Sequence, residues 1–345
     1  MNYPFVSIIL VTHNSEEHIK ECLDSLTKQN YKNFSTFLID NNSSDNSIQL
    51  VKKDYPNIKI IQNKENYGFA KACNIGIKHA FKNEKLKYIV CLNIDTILDK
   101  NWLAELIFVA ENYHNTGSVQ SKILLHSKPN KINTATNKLT FLGFGYCGDY
   151  LKDSSEKKDI EELPYSSGTS VLFSRKALEN TGLFDEDYFL YHEDVDLGLR
   201  LQLLGYKNLL APKSIIYHKY SFSKKNKIYF LERNRLITLL KNYESRTLFL
   251  IFFALVINEI GLFFFFLYNG NLKQKSLSYL FIIKNIRKIL NKRKLIQKTR
   301  KVNDKEITKF FMGKIEFPEL DNFFLKYMAN PFFEVYWRIV KKLIK

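Results

Sequence analysis

Apolar residues in the first hundred positions recur in two alternating patterns. Short, nearly continuous runs at 6–11, 34–39, 58–61 and 88–92 have the length and β-branched content of buried strands. Between them, apolar residues fall on one helical face: Ile19, Cys22, Leu23 and Leu26 within 15–29, Ile48 and Val51 within 44–55, and a third helix over 68–81. Ser15 suits the cap of the first of these. Alternation at this spacing predicts βαβ units, hence an α/β, mostly parallel sheet flanked by helices. Further strands are expected at 117–125, 165–174 and 214–217, with helices at 176–181 and 193–204, the latter closed by Gly205. Residues 141–164, rich in glycine and charge, read as a mobile loop.

The pattern changes after residue 224. A basic helix is expected at 227–243. Residues 247–268 hold seven phenylalanines and a single formal charge, Glu259, in 22 positions. That length would span a bilayer, for which about 20 apolar residues suffice. Asn258 and Glu259 at its middle count against a simple span, because a central acid is expensive in hydrocarbon. The expectation is therefore helices that dip into or lie on the inner leaflet, with the Lys/Arg-rich stretches 273–301 and 323–345 on anionic headgroups. The competing reading is a core helix in a small helical domain. The chain thus divides into 1–225 and a basic, aromatic-rich helical C-terminal region, 226–345.

Composition sharpens this picture in two respects. The formal net charge of +17 favours anionic partners, and the basic excess lies in the later part of the chain. Cys22, Cys73, Cys91 and Cys147 form no C-x-x-C pair and read as reduced thiols in a cytosolic setting. No secretory signal is expected, since the first strand starts almost at once.

In parallel sheets ligands bind at the carboxyl ends of the strands. The polar residues fall there: Thr12, His13 and Asn14 after the first strand, Asp40 to Asn42 after the second, Asn66 after the third, and Asn93 with Asp95 after the fourth. Asp40 could accept from the imide N–H of a uracil or thymine ring, although Asx and Ser residues favour such turns in any case. Asn66-Tyr67-Gly68-Phe69 opens a helix whose N-terminus could face a ribose or phosphate, or whose glycine could simply permit close packing. One carboxylate such as Asp95 is enough for a hard divalent cation that also takes water and substrate phosphates. Glu193 and Asp194 open a helix after the aromatic run 188–191; an acid there could remove a proton from a sugar hydroxyl or merely complement the helix dipole, the role expected of Asp196. His218 follows a strand; as a cation ligand it would tilt preference from Mg2+ toward Mn2+.

Taken in order, the strings VSIILVTHN, IDNNSSDNS, ENYGFAKACN, CLNIDTILDKNWL, SGTSVLFSRKALENTGLFDEDYFLYHEDVDLGLRLQLLGY and IIYHKYSFS followed by RNRL resemble the family-two inverting glycosyltransferases of GT-A (Rossmann-like) fold, in particular their rhamnosyltransferase-like branch. They cover 6–241. The resemblance implies that Thr12, Asn14 and Asp40 line the base and ribose pocket, and that Asn66, Gly68 and Phe69 border the nucleotide-sugar. It implies Asp95 as cation ligand with His218 as a second, Asp194 as catalytic base, Glu193 orienting acceptor or base, and Gly168 beside the acceptor sugar. Asn93 stands where many relatives carry the first acid of Asp-x-Asp and is placed with the nucleotide-sugar. The implied reaction moves a sugar from a dTDP- or UDP-linked donor, rhamnose among the candidates, to a glycan acceptor on a polyprenyl lipid at the cytoplasmic face of the membrane.

Two other classes fit less well. A sugar-phosphate nucleotidyltransferase needs a Gly- and Lys/Arg-rich loop after the first strand, where this chain has Thr12-His13-Asn14-Ser15-Glu16-Glu17. A non-enzymatic nucleic-acid-binding protein would carry its basic and aromatic residues on the sheet domain, where acids cluster instead, so no nucleic-acid partner is expected.

Overall fold

The computed structural model describes residues 3–220, 227–318 and 322–345. The first half runs β1 (Phe5–Thr12), α1 (Glu16–Thr27), β2 (Phe34–Asp40), α2 (Ser47–Asp54), β3 (Lys59–Gln62), α3 (Gly68–Ala80), β4 (Leu86–Asn93), β5 (Thr96–Leu98), α4 (Trp102–Asn112), β6 (Thr116–Leu125), β7 (Lys128–Thr134), β8 (Asn137–Thr140) and β9 (Gly145–Cys147). Then come β10 (Glu162–Leu163), β11 (Ser170–Ser174), α5 (Arg175–Thr181), α6 (Glu193–Leu203) and β12 (Lys207–His218). The C-terminal region adds α7 (Ile228–Asn242), α8 (Ser245–Tyr268), α9 (Leu272–Lys284), α10 (Ile286–Thr299), α11 (Asp304–Thr308), β13 (Phe311–Met312) and α12 (Asn330–Val340).

Among the described residues the main sheet has the order β10-β12-β6-β11-β4-β1-β2-β3, with β5 on β12 and β7 on β6. β3, β2, β1 and β4 are parallel, as are β12 and β6; β11 lies antiparallel between β4 and β6. Both faces are covered, which is why the strands read as unbroken apolar runs. Val6, Ile8 and Leu10 of β1 enter one core with Leu23 of α1 and Trp102 of α4, while Ile9 enters the other with Ala72 and Ile77 of α3.

Several expectations need correction. Residues 141–164 are not an open loop. Phe141 is buried and stacked on Trp337 of α12 at 4.9 Å, and Lys122 Nζ donates to the carbonyls of Ser154 and Lys157, both at 3.1 Å. The anchors are remote in sequence, so local composition could not reveal them. Of 165–174 only Ser170–Ser174 is strand. β12 is much longer than 214–217: Pro212, which has no N–H, shifts its pairing with β6 between Ala211 and Ile215 and disguises one strand as a fragment. The helical pattern over 273–301 breaks at Asn285 into α9 and α10. β7 and β8 carried too little apolar pattern to be anticipated. The last three residues of the string at 215–223 and the boundary at 225/226 lie outside the described residues.

The C-terminal helices pack on the sheet domain through a cluster containing Leu139, Phe141, Val195, Leu239, Ile251 and Trp337, and β13 pairs in parallel with β8. On α8 Glu259 is not bare. It meets Arg235 of α7 at 2.5 Å, Lys275 of α9 at 2.6 Å and the Tyr279 hydroxyl at 2.6 Å, while Glu232 joins the same cluster. Much of the rest of α8 is open: Phe249, Phe252, Phe253, Phe263, Phe264 and Tyr268 are exposed, Tyr268 by 91%.

Candidate active site

The sheet register brings the chemistry to one rim. Thr12 pairs with Asp40, Val11 with Asn93, Leu92 with Ser170, and Thr96 with His218. Strand ends that are 28 to 122 residues apart in sequence are therefore neighbours.

At the nucleotide side the first two loops lace together. Asn14, with φ 52°, accepts from Ser44 N–H at 2.8 Å, and His13 Nδ1 lies 2.9 Å from Asn41 O. Asp40 is buried; its Oδ1 accepts from Ser43 N–H at 3.0 Å and its Oδ2 from Gln62 Nε2 at 3.4 Å. A carboxylate has about four lone-pair sites, so capacity for a further donor remains. The Thr12 hydroxyl is buried without a hydrogen-bond partner. Asn66 Oδ1 caps the Gly68 N–H at 2.9 Å, and Asn41 Nδ2 donates to Gly68 O at 3.1 Å. Gly68 has φ +74°, and a Cβ there would sit 2.4 Å from Phe189 O, so only glycine fits.

The cation corner is built from two distant strands. His218 Nε2 lies 3.3 Å from Asp95 Oδ2, and His218 Nδ1 lies 2.8 Å from Asn133 Oδ1. Asn133 thus holds the ring by Nδ1 and turns Nε2 toward the carboxylate. Burial opposes ionisation of Asp95, but the hydrogen bond and charge of His218 outweigh it and hold the carboxyl below its ordinary value. Asp95 Oδ1 is buried and unpartnered. Among the described residues no group of three or more His, Cys, Asp or Glu is gathered. A mixed N/O pair with an unused carboxylate oxygen nevertheless fits a divalent cation that completes its shell with phosphate and water.

The surroundings of Asp194 are different in kind. Asp194 Oδ2 accepts from Gly168 N–H at 3.1 Å and its Oδ1 from Val195 N–H at 2.8 Å. Gly168 also lies close to Phe69: a Cβ would stand 3.2 Å from the ring. Burial pushes the Asp194 carboxyl up, against these backbone bonds. Glu193 is pushed further up, by burial and then by the Asp194 charge, and its Oε2 has no partner. Burial and the Arg235 charge lower the neighbouring His192 to about 4, so it stays neutral.

The two corners are joined by short contacts. Asn93 N–H donates to Thr169 O at 2.9 Å, next to Gly168, whose N–H reaches Asp194. Phe69 N–H donates to Phe189 O at 2.7 Å, five residues before Asp194.

The structure moves other acids out of it. Asp196 does not serve the helix dipole at the surface: it is fully buried, with Arg200 Nε, Lys241 Nζ and Asn242 Nδ2 each at 2.9 Å. Asp185 and Asp187 are engaged by Lys241, Lys288 and Lys292. Sequence reasoning missed Asn133, Arg233 and Asn234. Only the RNRL string marked the last two, and nothing local marked Asn133.

The sequence pattern of glycosyl transferase family 2 matches residues 7–182. An uncharacterized glycosyltransferase of Haemophilus influenzae is 26% identical over 273 residues, covering 76% of this chain and 77% of its own. An N-acetylglucosaminyl-diphospho-decaprenol L-rhamnosyltransferase of Mycobacterium tuberculosis is 25% identical over 233 residues, covering 61% and 75%. The crystal structure of GalNAc-T7 with UDP, GalNAc and Mn2+ superposes with a TM-score of 0.59 at 17% identity, over 71% of this chain and 49% of that one, and agrees in fold. With more than half of its length matching the family pattern on a GT-A sheet, this chain belongs to glycosyl transferase family 2.

Proposed function

We propose that the chain transfers a sugar, with inversion, from a dTDP- or UDP-linked donor, rhamnose among the candidates, to a hydroxyl of a glycan carried on a polyprenyl lipid. The observation that carries this reading is the contact path from Asp95 through Asn93, Thr169 and Gly168 to Asp194. Thr12, Asn14, Asp40, Asn66, Gly68, Phe69 and Asn93 line the donor, and Gly168 borders the acceptor. Asp194 takes the proton of the acceptor hydroxyl, and the oxygen attacks the anomeric carbon from the face opposite the departing nucleoside diphosphate. Glu193, kept in its acid form, orients acceptor or base. A Mn2+ or Mg2+ ion held by Asp95 and His218 would neutralise charge developing on the leaving diphosphate. The polyprenyl carrier is suggested by the name of the mycobacterial relative.

The reading extends to location. Residues 1–225 form the catalytic part, and 226–345 seat it on the cytoplasmic face of the membrane. Because Glu259 is tied to α7 and α9, α8 lies along the surface with its exposed phenylalanines in the bilayer and does not cross it.

The test is nucleoside diphosphate release from dTDP-rhamnose, UDP-galactose and UDP-N-acetylglucosamine, given a polyprenyl-diphosphate-linked N-acetylglucosamine and either Mn2+ or chelator. Release from one donor, suppressed by chelator, is expected; release from none rejects the assignment. Flotation with phosphatidylglycerol vesicles at low salt should carry the chain upward, and a chain left at the bottom rejects the membrane seat.

A further inference from the structure

The turn that delivers Asp194 is made from backbone that its own residues disfavour. Phe189 has φ 61° and ψ −60°, a γ-turn of the rare positive-φ form, closed by Leu190 N–H donating to Tyr188 O at 2.6 Å. Tyr191 and His192 follow at φ 67° and 64°. Bulky non-glycine residues stay in such conformations only when their surroundings over-determine them. The front of the turn touches the donor pocket, where Phe189 O accepts from Phe69 N–H and crowds Gly68.

Its back is held by α7. Asn234 is fully buried and directs one amide nitrogen at three carbonyls: Tyr188 O at 3.0 Å, Leu190 O at 2.9 Å and Tyr191 O at 2.7 Å. Arg233 Nη2 donates to Asp187 O at 2.7 Å and Tyr188 O at 2.8 Å. Arg233 Nε donates to Asn234 Oδ1 at 2.9 Å, which fixes the direction of the amide. The guanidinium is itself confined by the Phe230 and Phe281 rings, at 5.1 and 4.4 Å from their centroids. The turn's own amide, Leu190 N–H, meets Tyr188 O, and the carbonyls of Asp187, Leu190 and Tyr191 are left to Arg233 and Asn234. These two side chains supply the missing donors.

We propose that Arg233 and Asn234 are positioning residues for sugar transfer: from the C-terminal region they hold the 187–192 turn, and so set Asp194 against the donor pocket at Gly68–Phe69. The proposal rests on Asp194 being the base. It makes α7 part of the catalytic apparatus although these side chains reach the turn only at its backbone, and it makes the base depend on a helix that also carries Arg235, which grips Glu259 of α8, and Glu232, which meets Lys275 of α9.

The test uses the full chain with Asn234→Ala, Arg233→Lys and, in parallel, Asp194→Asn. Readouts are kcat, donor and acceptor KM, UDP affinity by calorimetry, and Tm. An ångström of misplacement at a reacting group costs about 10²-fold, so kcat of Asn234→Ala should fall about that far while UDP affinity stays within about threefold. Arg233→Lys keeps the charge but loses the fork, and should fall about tenfold in kcat at an unchanged Tm. It also decides the matter if Asn234→Ala does not fold. Loss of UDP affinity in step with kcat, a kcat lowered only as far as the folded fraction, or unchanged kcat in Arg233→Lys overturns the proposal. An active Asp194→Asn overturns the base assignment instead. An inactive Asp194→Asn beside a fully active Asn234→Ala overturns only the positioning role.

Discussion

Two acids on one rim, about a hundred residues apart in sequence, are treated in opposite ways. Both are half-buried, but Asp95 stands beside an imidazole and is held below its ordinary pKa, whereas Asp194 stands beside a buried second acid and is pushed above it. Environments that drive two carboxyls apart assign them different work. The first remains an anion across the working pH range and suits a cation and a diphosphate. The second, with its raised proton affinity, suits the base proposed above. The contrast arises from what packs behind each: a histidine at the end of β12 behind Asp95, and apolar and neutral groups behind Asp194.

The sharpest way to break this contrast is to neutralise each acid in turn. Asp194→Asn should lower transfer by about 10²–10⁴-fold with UDP binding preserved, as expected for loss of a general base; calorimetry beside a turnover assay separates the two. Asp95→Asn should leave the base intact but erase the Mn2+ dependence of UDP affinity, bringing it to the value measured with chelator, a loss of about tenfold or more. If both variants lose affinity and rate alike, the corners do not divide the labour. The smallest effect concerns stability. The folded pKa of Glu193 is raised above its unfolded value, so its contribution is fully present below the unfolded pKa and is lost as pH rises through the folded one. Glu193→Gln mimics the protonated form. It should therefore stabilise the chain by about 1 kcal/mol at pH 8 and by nothing near pH 4, read as the pH dependence of urea midpoints.

The strand–helix alternation of the first hundred residues was legible because each βαβ unit closes locally and buries its strand on both faces. The candidate residues at strand ends were legible for the same reason: a parallel sheet places successive carboxyl ends on one rim. What misled was polar or interrupted sequence whose partners are distant. Pro212 hid the length of β12, the glycines of 141–164 hid a segment anchored by Lys122 and Trp337, and Asp196 looked like a first-turn acid until Lys241 and Asn242 were seen against it. Likewise Glu259 looked like an expensive charge in an apolar helix, and Arg235 and Lys275 account for it.

By itself the sequence determined the family, the sheet and the rim at which the candidate residues gather, because apolar periodicity and turn residues act over a few positions. Tertiary structure alone decided which acid has its pKa lowered and which raised, that Asn133 holds His218, and that the turn before Asp194 is held from α7. Desolvation and hydrogen bonding to backbone carbonyls depend on groups brought together from far apart in the chain, and no local pattern records who those neighbours are.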